Sequence, residues 1–529
     1  MNLSDVCARY LREAGIGTVF GYPGDPSVGF LEALRTEGHD FVLARREGTA
    51  GLMAEAAGML TGKPGVCLST LGPGSTNLVN AVANAWLDRV PMIALSGQID
   101  TKRAPTFTHQ VVDQRALFAP VSKWAAEVAP NTVGHVLRKA HRTAMAPRPG
   151  PVHLTMHADH VTAEAQDDAI LVPPTETAAS VLIHSGTMPE RRIAEARRPL
   201  ILFGISAMQD GCGEQIVALA DRIGAAIVAG PMAKGTVSED HPRFAGTLDM
   251  ACQAPMWDFL KSADLVICAG FDAVELIKPW SVTAPVIHID RVPNTDQIYA
   301  AETEMTGPIG PILAMLADAV PESDGWPEKD IAAHRDALRA DFDSGRVSGA
   351  LNPSDVIRVA RDVLPADTIA SVDVGSHKLL VGQGWRPSGP RRFLMTNGLS
   401  SMGFSLPAGI AAKHLMPDAP VVSFMGDGGL AMVQGELRLA ASLKLGLKVV
   451  VFVDNSLNRI ELKQMARQVP STGTVIEETA IVPLAVSMGC HGVMADTESA
   501  LQDALSTDTG DVPLVIGARI DPAQYAAQF

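Results

Sequence analysis

A carboxylate and an amide follow two neighbouring strands predicted in the last third of the chain. One apolar stretch ends at Gly426-Asp427-Gly428-Gly429, and the next ends at Asp454-Asn455. A helix is predicted between them, so the strands should be parallel and both side chains should leave the same sheet edge, where ligands bind in open α/β sheets. A carboxylate and an amide oxygen beside a glycine-rich turn with free N–H groups suit Mg²⁺ holding a diphosphate.

A second carboxylate, Glu47, follows a predicted strand and opens a helix of small and apolar residues. A carboxylate at a helix start commonly offsets the helix dipole at the surface. The residue type and position alone therefore leave a structural and a chemical interpretation open. The turn Gly72-Pro73-Gly74 also opens a helix, and that helix contains Asn77.

The elements that must position these residues form three blocks. Short apolar strands alternate with helices along the chain, which predicts an α/β fold of three doubly wound parallel-sheet domains. We expect the domains at 1–165, 185–325 and 350–529, separated by a linker at 166–178 and a charged segment at 321–349. The predicted strands cover residues 18–20, 40–44, 65–70, 92–96, 152–156, 199–203, 226–229, 265–269, 286–289, 368–372, 392–395, 421–425, 448–453 and 514–518.

Composition excludes several classes of partner. The 529 residues include 43 Lys and Arg against 58 Asp and Glu, a net charge of −15 without a dense basic run. This balance argues against nucleic acid and anionic membranes as partners. The six cysteines form no CxxC pair, which indicates reduced thiols. The N-terminus lacks a signal-peptide pattern, and no apolar stretch reaches the ~18 residues of a membrane span, so we expect a cytoplasmic protein.

These motifs together resemble the thiamine diphosphate enzymes of the acetolactate synthase, pyruvate oxidase and pyruvate decarboxylase group, over nearly the whole chain. The resemblance implies an N-terminal pyrimidine-binding domain, a central domain and a C-terminal diphosphate-binding domain. It implies that Asp427, Asn455 and the carbonyl of Leu457 hold Mg²⁺. The residues it implies for thiamine diphosphate binding are Gly72, Pro73, Gly74, Asn77, Gly375, Ser376, His377, Leu399, Ser400, Met402, Gly426, Asp427, Gly428, Gly429, Asn455, Leu457 and Ile460.

The resemblance also gives roles to two of these positions. Met402, in GLSSMGF, matches the apolar residue that wedges the cofactor into its bent form. Glu47 matches a glutamate that hydrogen-bonds the aminopyrimidine ring from the partner subunit and favours the tautomer that removes the C2 proton. The resemblance therefore implies a homodimer or homotetramer with active sites between subunits.

Other segments bear on the type of reaction. Residues 108–124 and 265–276 resemble the FAD-free, catabolic acetolactate synthases. The Arg-bearing GxRFDDR-like segment of the FAD-containing synthases is absent, which disfavours FAD and an oxidative route. Gln464 stands where the biosynthetic synthases have a Trp, a further departure from the biosynthetic enzyme.

Two positions depart toward the decarboxylases. Asp25 in GYPGDPS matches the Asp of their turn, and Glu461 matches their Ile-Glu pair where synthases carry Val. A carboxyl group with a raised pKa in an enclosed site can protonate a carbon. Alternatively, Glu461 faces solvent and pairs with Lys463 or Arg467. Decarboxylases use a histidine pair in a loop where this chain has only His109.

We therefore predict a thiamine diphosphate- and Mg²⁺-dependent, non-oxidative decarboxylation of a 2-oxo acid through an enamine, released as an aldehyde. The predicted catalytic residues are Asp25, Glu47, His109 and Glu461. The alternative is an acetolactate synthase-like carboligase that joins the enamine to a second 2-oxo acid or aldehyde. A catalytically silent relative would need a broken cofactor site, whereas Glu47, Asp427 and Asn455 are all present.

Overall fold

A computed structural model describes residues 1–174, 181–185 and 188–528 of the chain. Three parallel-dominated α/β sheets confirm the predicted fold class. By its contacts the chain divides into two compact units. The first contains the N-terminal block together with residues 398–417 and 433–445, and the second contains the central block and the remainder of the C-terminal block.

The N-terminal block is a parallel sheet flanked by helices. Its strands are β1 (Thr18–Gly21), β2 (Asp40–Leu43), β3 (Gly65–Ser69), β4 (Met92–Gln98), β5 (Trp124–Val128) and β6 (Pro151–His157). Its helices are α1 (Leu3–Glu13), α2 (Val28–Thr36), α3 (Glu47–Thr61), α4 (Pro73–Leu87), α5 (Gln114–Phe118), α6 (Val133–Met145) and α7 (Ala158–Val161). The strand order is β2-β1-β3-β4-β6-β5. Strands β3, β4 and β6 are buried along their whole length, as expected for the inner strands of a parallel sheet that is covered on both faces.

The described residues of the central block form seven strands, of which the edge strand β7 alone is antiparallel to its neighbour. The strands are β7 (Leu182–Ser185), β8 (Pro199–Phe203), β9 (Ala226–Ala229), β10 (Phe244–Thr247), β11 (Leu265–Ala269), β12 (Val286–Asp290) and β13 (Thr303–Thr306). The helices are α8 (Pro189–Glu195), α9 (Ile205–Gln209), α10 (Gly213–Ile223), α11 (Gln253–Lys261), α12 (Ile309–Ala319) and α13 (Glu328–Phe342). The strand order is β10-β9-β8-β11-β12-β13-β7.

The C-terminal block contains a third parallel sheet. Its strands are β14 (Ile369–Val372), β15 (Phe393–Met395), β16 (Val421–Gly426), β17 (Lys448–Val453), β18 (His491–Ala495) and β19 (Leu514–Arg519). The helices are α14 (Pro353–Val363), α15 (Ser376–Gly384), α16 (Ser405–Leu415), α17 (Asp427–Val433), α18 (Glu436–Ser442), α19 (Asn458–Ala466), α20 (Ile481–Ser487), α21 (Glu498–Ser506) and α22 (Ala523–Gln528). In the order β15-β14-β16-β17-β19-β18, strands β16 and β17 are neighbours and end side by side.

The strands that sequence patterning missed lie at or beside the sheet edges. They are β5, β7, β10, β13 and β18. Residues in β18 and β5 are mostly part-exposed, so these strands lack the continuous apolar run that marks a central strand. The charged segment at 321–349 contains α13, a helix that buries only Ile331, His334 and Leu338. The described part of the predicted linker, 166–174, has no helix or strand, and its residues 175–178 lie outside the described residues.

None of the helices in the described ranges combines the length and apolar character that crossing a membrane requires.

One buried carboxyl group lies at the carboxyl end of the central sheet. Glu275 is fully buried, and its Oε2 accepts the N–H of Ile205 at 2.9 Å and that of Asp272 at 3.3 Å. A Cβ atom at Gly204 would lie 2.1 Å from this oxygen, and one at Gly230 would lie 2.2 Å from Oε1. Glycines at two strand ends therefore make room for the carboxyl group, whose burial raises its pKa to about 8.

We predict that Glu275 makes stability fall as the pH rises. Its pKa in the folded protein lies above the ordinary value of 4.5, so the folded state keeps a proton that the unfolded chain loses between those two values. The free energy of unfolding should then decrease across that window by up to about 1.4 kcal/mol per pH unit. Glu275→Gln, a neutral side chain of equal size, should remove this contribution. Chemical unfolding of both proteins between about pH 5 and about pH 8 measures the difference, and identical pH dependence would contradict the prediction.

Candidate active site

Asp427 and Asn455 meet at the shared edge of β16 and β17, as the sequence predicts. Asp427 is the first residue after β16, and its Oδ2 accepts the N–H of Asn455 at 2.7 Å and that of Asp454 at 3.2 Å. The N–H of Gly428 donates to Oδ1 at 2.8 Å. The carboxylate therefore ties the end of one strand to the end of the next.

The donor atoms at this edge fit a hard divalent cation. The Oδ1 atom of Asn455 is buried and accepts no hydrogen bond from any described residue. Burial raises the pKa of Asp427, and burial together with the Asp427 charge raises the pKa of Asp454 to about 7. Two adjacent carboxyl groups and an unpaired amide oxygen are the ligand types that Mg²⁺ prefers. Across the described ranges no three His, Cys, Asp or Glu side chains gather as a metal site, so a cation here would depend on amide and carbonyl oxygens as well.

Leu457, the third predicted ligand, lies at the start of α19. Its carbonyl oxygen accepts the N–H of Ile460 at 2.8 Å and that of Glu461 at 3.2 Å. The carbonyl thus already accepts hydrogen bonds from the first turn of this helix. Its predicted role in metal binding depends on the resemblance alone.

Close backbone approaches surround the same strand end. His377 is buried against Phe452, with ring centroids 5.2 Å apart, and a Cβ atom at Gly375 would lie 2.6 Å from its Cε1. A Cβ atom at Gly429 would lie 2.6 Å from Oδ2 of Asp373. Burial lowers the pKa of His377 to about 3, so its ring is neutral, and its buried Nε2 has no partner among the described residues. A glycine-lined cradle with an unpaired ring nitrogen fits the diphosphate site that the resemblance implies.

Ser376 is fixed within the same cluster, since its hydroxyl donates to Oδ1 of Asn458 at 2.8 Å. Asn458 is the first residue of α19 and is buried. This bond joins the start of α15 to the start of α19, so the segments predicted to bind the diphosphate and the metal hold one another.

Glu47 lies in a separate cluster on the N-terminal sheet. It is the first residue of α3 and only 9% exposed, which argues against a surface carboxylate that merely offsets the helix dipole. Its Oε2 accepts Nδ2–H of Asn77 at 3.2 Å. A Cβ atom at Gly74 would lie 3.0 Å from Oε1. The structure thus brings Glu47, Asn77 and the turn at residues 72–74 together.

Two of the predicted catalytic residues, Asp25 and His109, are exposed near this cluster. Asp25 begins a short 3-10 helix after Gly24, where a Cβ atom would lie 1.9 Å from Oγ1 of Thr70. The His109 ring meets that of Phe107 edge-on at 6.3 Å. The following residue, Gln110, packs against the backbone of Gly72, so the loop bearing His109 lies over the predicted cofactor turn.

A buried glutamate that the sequence analysis missed anchors the start of α3. Glu436 accepts the N–H of Arg45 at 2.8 Å and the hydroxyl of Thr49 at 2.6 Å. Burial raises the pKa of Glu436, and these bonds oppose the increase. In the sequence Glu436 reads as an ordinary acidic residue in the first turn of a helix, and only its contact with α3 shows that it positions the Glu47 segment.

A second missed cluster anchors the segment that contains Met402. Nδ2 of Asn84 donates to both carboxylate oxygens of Glu55, at 2.8 and 2.9 Å, and its Oδ1 accepts the N–H of Ser401 at 3.3 Å. Asp88 accepts the N–H of Gly398 at 2.6 Å. Burial and the neighbouring Asp88 raise the pKa of Glu55 well above its usual range. Helix α4 therefore fixes both ends of residues 398–401 through buried polar groups.

The residues of this segment remain partly open. Leu399 is 38% exposed, and Ser400 and Met402 are half-buried. Ser400 adopts a left-handed backbone, with φ of 57°. The side chains of Leu399 and Met402 are therefore partly open to solvent, while hydrogen bonds fix the backbone at residues 398 and 401.

Glu461 is held by hydroxyl groups. Its carboxylate accepts hydrogen bonds from Ser456 and, at 3.1 Å, from Ser471. Among the described residues no ion pair joins it to Lys463 or Arg467, which argues against the surface-pair interpretation. Ser456 directly follows Asn455, so Glu461 lies beside the predicted metal edge.

Gln464 has a structural role in this neighbourhood. Its amide nitrogen donates to the carbonyl of Thr472 at 3.0 Å, and its amide oxygen accepts the N–H of Thr472 at 3.2 Å. This pair closes the loop that contains Ser471, one of the two hydroxyls that hold Glu461. Gln464, which stands where the biosynthetic synthases have Trp, thus stabilises a loop in this chain.

Comparison with known proteins identifies three domains in the chain. Models of the thiamine pyrophosphate enzyme N-terminal, central and C-terminal domains match residues 1–117, 190–316 and 373–518. An acetolactate synthase large subunit of Parasynechococcus marenigrum is 31% identical over 83% of this chain and 74% of its own. A catabolic acetolactate synthase of Raoultella terrigena is 29% identical over 98% and 95%. A probable 2-ketoarginine decarboxylase of Pseudomonas aeruginosa is 28% identical over 91% and 87%.

All three domain models match in their expected order, and synthases and a decarboxylase are related to the chain over most of their length. This protein is therefore a member of the thiamine pyrophosphate enzyme family.

Proposed function

We propose that the protein is a thiamine diphosphate- and Mg²⁺-dependent enzyme that decarboxylates a 2-oxo acid and releases the product as an aldehyde. The observation that carries this proposal is the placement of Glu461. Two serine hydroxyls hold its carboxyl group beside the predicted metal edge, and no ion pair to a neighbouring cation within the described chain diverts it.

The cofactor, when bound, supplies the nucleophilic carbon and the electron sink of the reaction. The chain supplies position and protons. Asp427 and Asn455 would hold the cation and, through it, the diphosphate, while the buried, neutral ring of His377 would form part of the cradle wall. Glu47 offers a buried carboxyl group for proton exchange with the aminopyrimidine ring, and Asn77 fixes its orientation.

Glu461 would then deliver a proton to the carbon that has lost CO₂. Hydrogen bonds from Ser456 and Ser471 restrict the carboxyl group to one orientation, which a proton donor requires. We also propose that Asp25 and His109 line the entrance on the pyrimidine side, since both are exposed and lie on segments packed against residues 70 and 72.

A carboligase is the second candidate, because full-length relatives include acetolactate synthases. The first half of the reaction would be the same, and the carbon that lost CO₂ would attack a second carbonyl instead of taking a proton. The two candidates differ in the role of one side chain, Glu461, and so in the product.

We further propose that a second copy of the chain completes the site. Phe107, Leu399 and Ile460 are 42%, 38% and 47% exposed, and all three belong to segments predicted to contact cofactor or substrate. Apolar groups of this size at a binding site are normally covered. A homodimer or a homotetramer of such dimers would cover them.

Removing the metal ligand should abolish cofactor binding. We expect chelation and gel filtration to remove activity, and thiamine diphosphate with Mg²⁺ to restore it. Asp427→Ala should prevent the restoration and the calorimetric binding of the cofactor, because the cation loses its anionic ligand. Asp418→Ala, an exposed carboxylate on the same block, is the control. Metal-independent turnover of the parent, or full rescue of Asp427→Ala, would contradict the proposal.

Glu47→Gln should separate cofactor binding from proton exchange. The change is nearly isosteric, and the amide oxygen can still accept the hydrogen bond from Asn77, so the cofactor should bind. An amide cannot exchange the proton, so exchange at C2 of the bound cofactor and turnover should fall by about 10²–10⁴. Exchange followed by NMR at the parental rate would show that Glu47 serves only the helix.

Glu461→Val distinguishes the two candidate reactions. With pyruvate and a panel of bulkier 2-oxo acids, we expect the parent to release chiefly aldehyde. The variant should release aldehyde more slowly and form more acyloin or acetolactate-type product, because it loses a proton donor and gains apolar space. Glu13→Val, on the exposed face of α1, is the matched control. A parent that already makes mainly ligated product, with a ratio unchanged in Glu461→Val, would establish the carboligase instead.

A further inference from the structure

A cavity of about 360 Å³ lies in the second unit, away from every residue assigned above to cofactor or catalysis. Strand β10 of the central sheet forms one wall, and helices α13, α14 and α15 form the others. Its volume is within the range of small-molecule sites. None of its lining residues is assigned to the proposed reaction, so the ligand that the cavity fits is inferred from the lining residues alone.

The inner part of the cavity is apolar. Phe244, Leu338 and Ile357 are buried, and Phe342 is half-buried beside them. A Cβ atom at Gly384 would lie 2.7 Å from Cζ of Phe342, so glycine lets α15 lie directly against this ring. Two aromatic rings and two branched side chains offer a surface for a flat or branched apolar group.

The outer part of the cavity is rich in arginine. Five arginines from three segments line it, against three carboxylates, Glu239, Asp343 and Asp362. The five are Arg335, Arg339, Arg358, Arg361 and Arg386. Arginines thus outnumber carboxylates among the lining residues, whereas the chain as a whole has a net charge of −15.

Three of these arginines pair with carboxylates outside the lining. Arg339 pairs with Asp336, Arg386 with Asp240 at 3.4 Å, and Arg358 with Asp355 and Glu498 at 3.0 and 2.8 Å. Asp240 and Asp336 are exposed, Glu498 is half-buried and Asp355 is buried. None of these four carboxylates lines the cavity, so they hold the guanidinium groups around it without filling it.

Two arginines have no carboxylate partner in the described chain. Arg335 donates to the carbonyls of His241 and Glu239, each at 3.3 Å. Arg361 donates to the carbonyl of Leu364 at 2.8 Å, and its guanidinium lies 4.3 Å from the centre of the Trp385 ring. Arg361 also lies within electrostatic range of Asp362 and Asp367, whereas Arg335 is held by backbone carbonyls alone. Arg335 therefore offers its charge to a molecule in the cavity.

A buried amide adds an unsatisfied polar atom to the lining. Oε1 of Gln383 is buried and has no hydrogen-bond partner within the described residues. Amide oxygen and nitrogen can exchange places by rotation of the side chain. The amide can therefore accept from, or donate to, a molecule in the cavity, and a buried polar group without a partner is unfavourable unless one arrives.

We propose that this cavity, defined as the arginine cleft, binds a small organic anion with one carboxylate or phosphate group and an apolar body. Guanidinium groups bind both kinds of anion in a bidentate geometry, and the rings of Phe244 and Phe342 would hold the body. An inorganic ion alone would leave the apolar wall uncovered. A bound effector would bridge the central block and the start of the C-terminal block, so the cleft is suited to regulation.

The test uses isothermal titration calorimetry on the full-length protein. The probes are 3-phenylpropanoate, phenyl phosphate, the neutral 3-phenylpropanamide and inorganic phosphate. We expect saturable binding of at least one charged aromatic probe and markedly weaker binding of the amide and of inorganic phosphate. The tighter of the two charged probes identifies the source as a carboxylate or a phosphate.

Variants assign the binding to the cleft. Arg335→Gln should weaken the preferred probe about tenfold or more, because one charge-assisted contact is lost. Arg339→Glu reverses a charge at an exposed rim position and should weaken it similarly without a folding defect. Arg35→Gln, an exposed arginine of α2, should leave binding unchanged. Failure of both charged aromatic probes to bind the parent, equal binding of the amide, or parental affinity in both cleft variants would overturn the proposal.

Discussion

The predicted metal-binding edge of the C-terminal sheet depends on one carboxylate that joins two strand ends. Asp427 follows β16, and its side chain accepts the N–H groups that follow β17. Parallel neighbouring strands must end at the same edge, so this contact is available only in such a sheet. It also leaves Oδ1 of Asn455 buried without a described partner and crowds Asp454 against a second negative charge. The contact that completes the strand ends thus leaves oxygen atoms of the kind that would bind the predicted Mg²⁺.

Buried carboxyl groups position the other predicted segments in the same way. Glu436 accepts a hydrogen bond from the backbone N–H of Arg45, two residues before Glu47. Asp88 accepts one from the backbone N–H of Gly398. Each group accepts backbone N–H bonds at a place where a helix or loop begins, which satisfies donors that a sheet or helix does not. Burial raises the pKa of Glu436 and of Glu55, and the hydrogen bonds that these groups accept oppose this increase. Buried polar groups therefore position the segments that contain the predicted site residues.

Sequence patterning was most accurate where a strand is covered on both faces. Strands such as β3, β8 and β17 appear as unbroken apolar runs, because every residue must avoid water. Edge strands such as β5 and β18 are partly exposed to solvent, so they contain both polar and apolar residues. Their sequences therefore resemble those of loops. Helix α13 is similar, since three buried residues in a charged segment give too weak a period to recognise.

The sequence by itself determined the three α/β blocks, the glycine-rich turn with Asp427 and Asn455, and the strand-to-helix position of Glu47. These are local features, which the sequence shows as hydrophobic periodicity and as turn residues at fixed spacing. Only the tertiary structure decided that Glu47 is buried against Asn77 and that Glu461 accepts hydrogen bonds from two serine hydroxyls. It also decided that arginines from separate segments surround one cavity. Side-chain partners distant in sequence are set by packing, and no spacing along the chain specifies them.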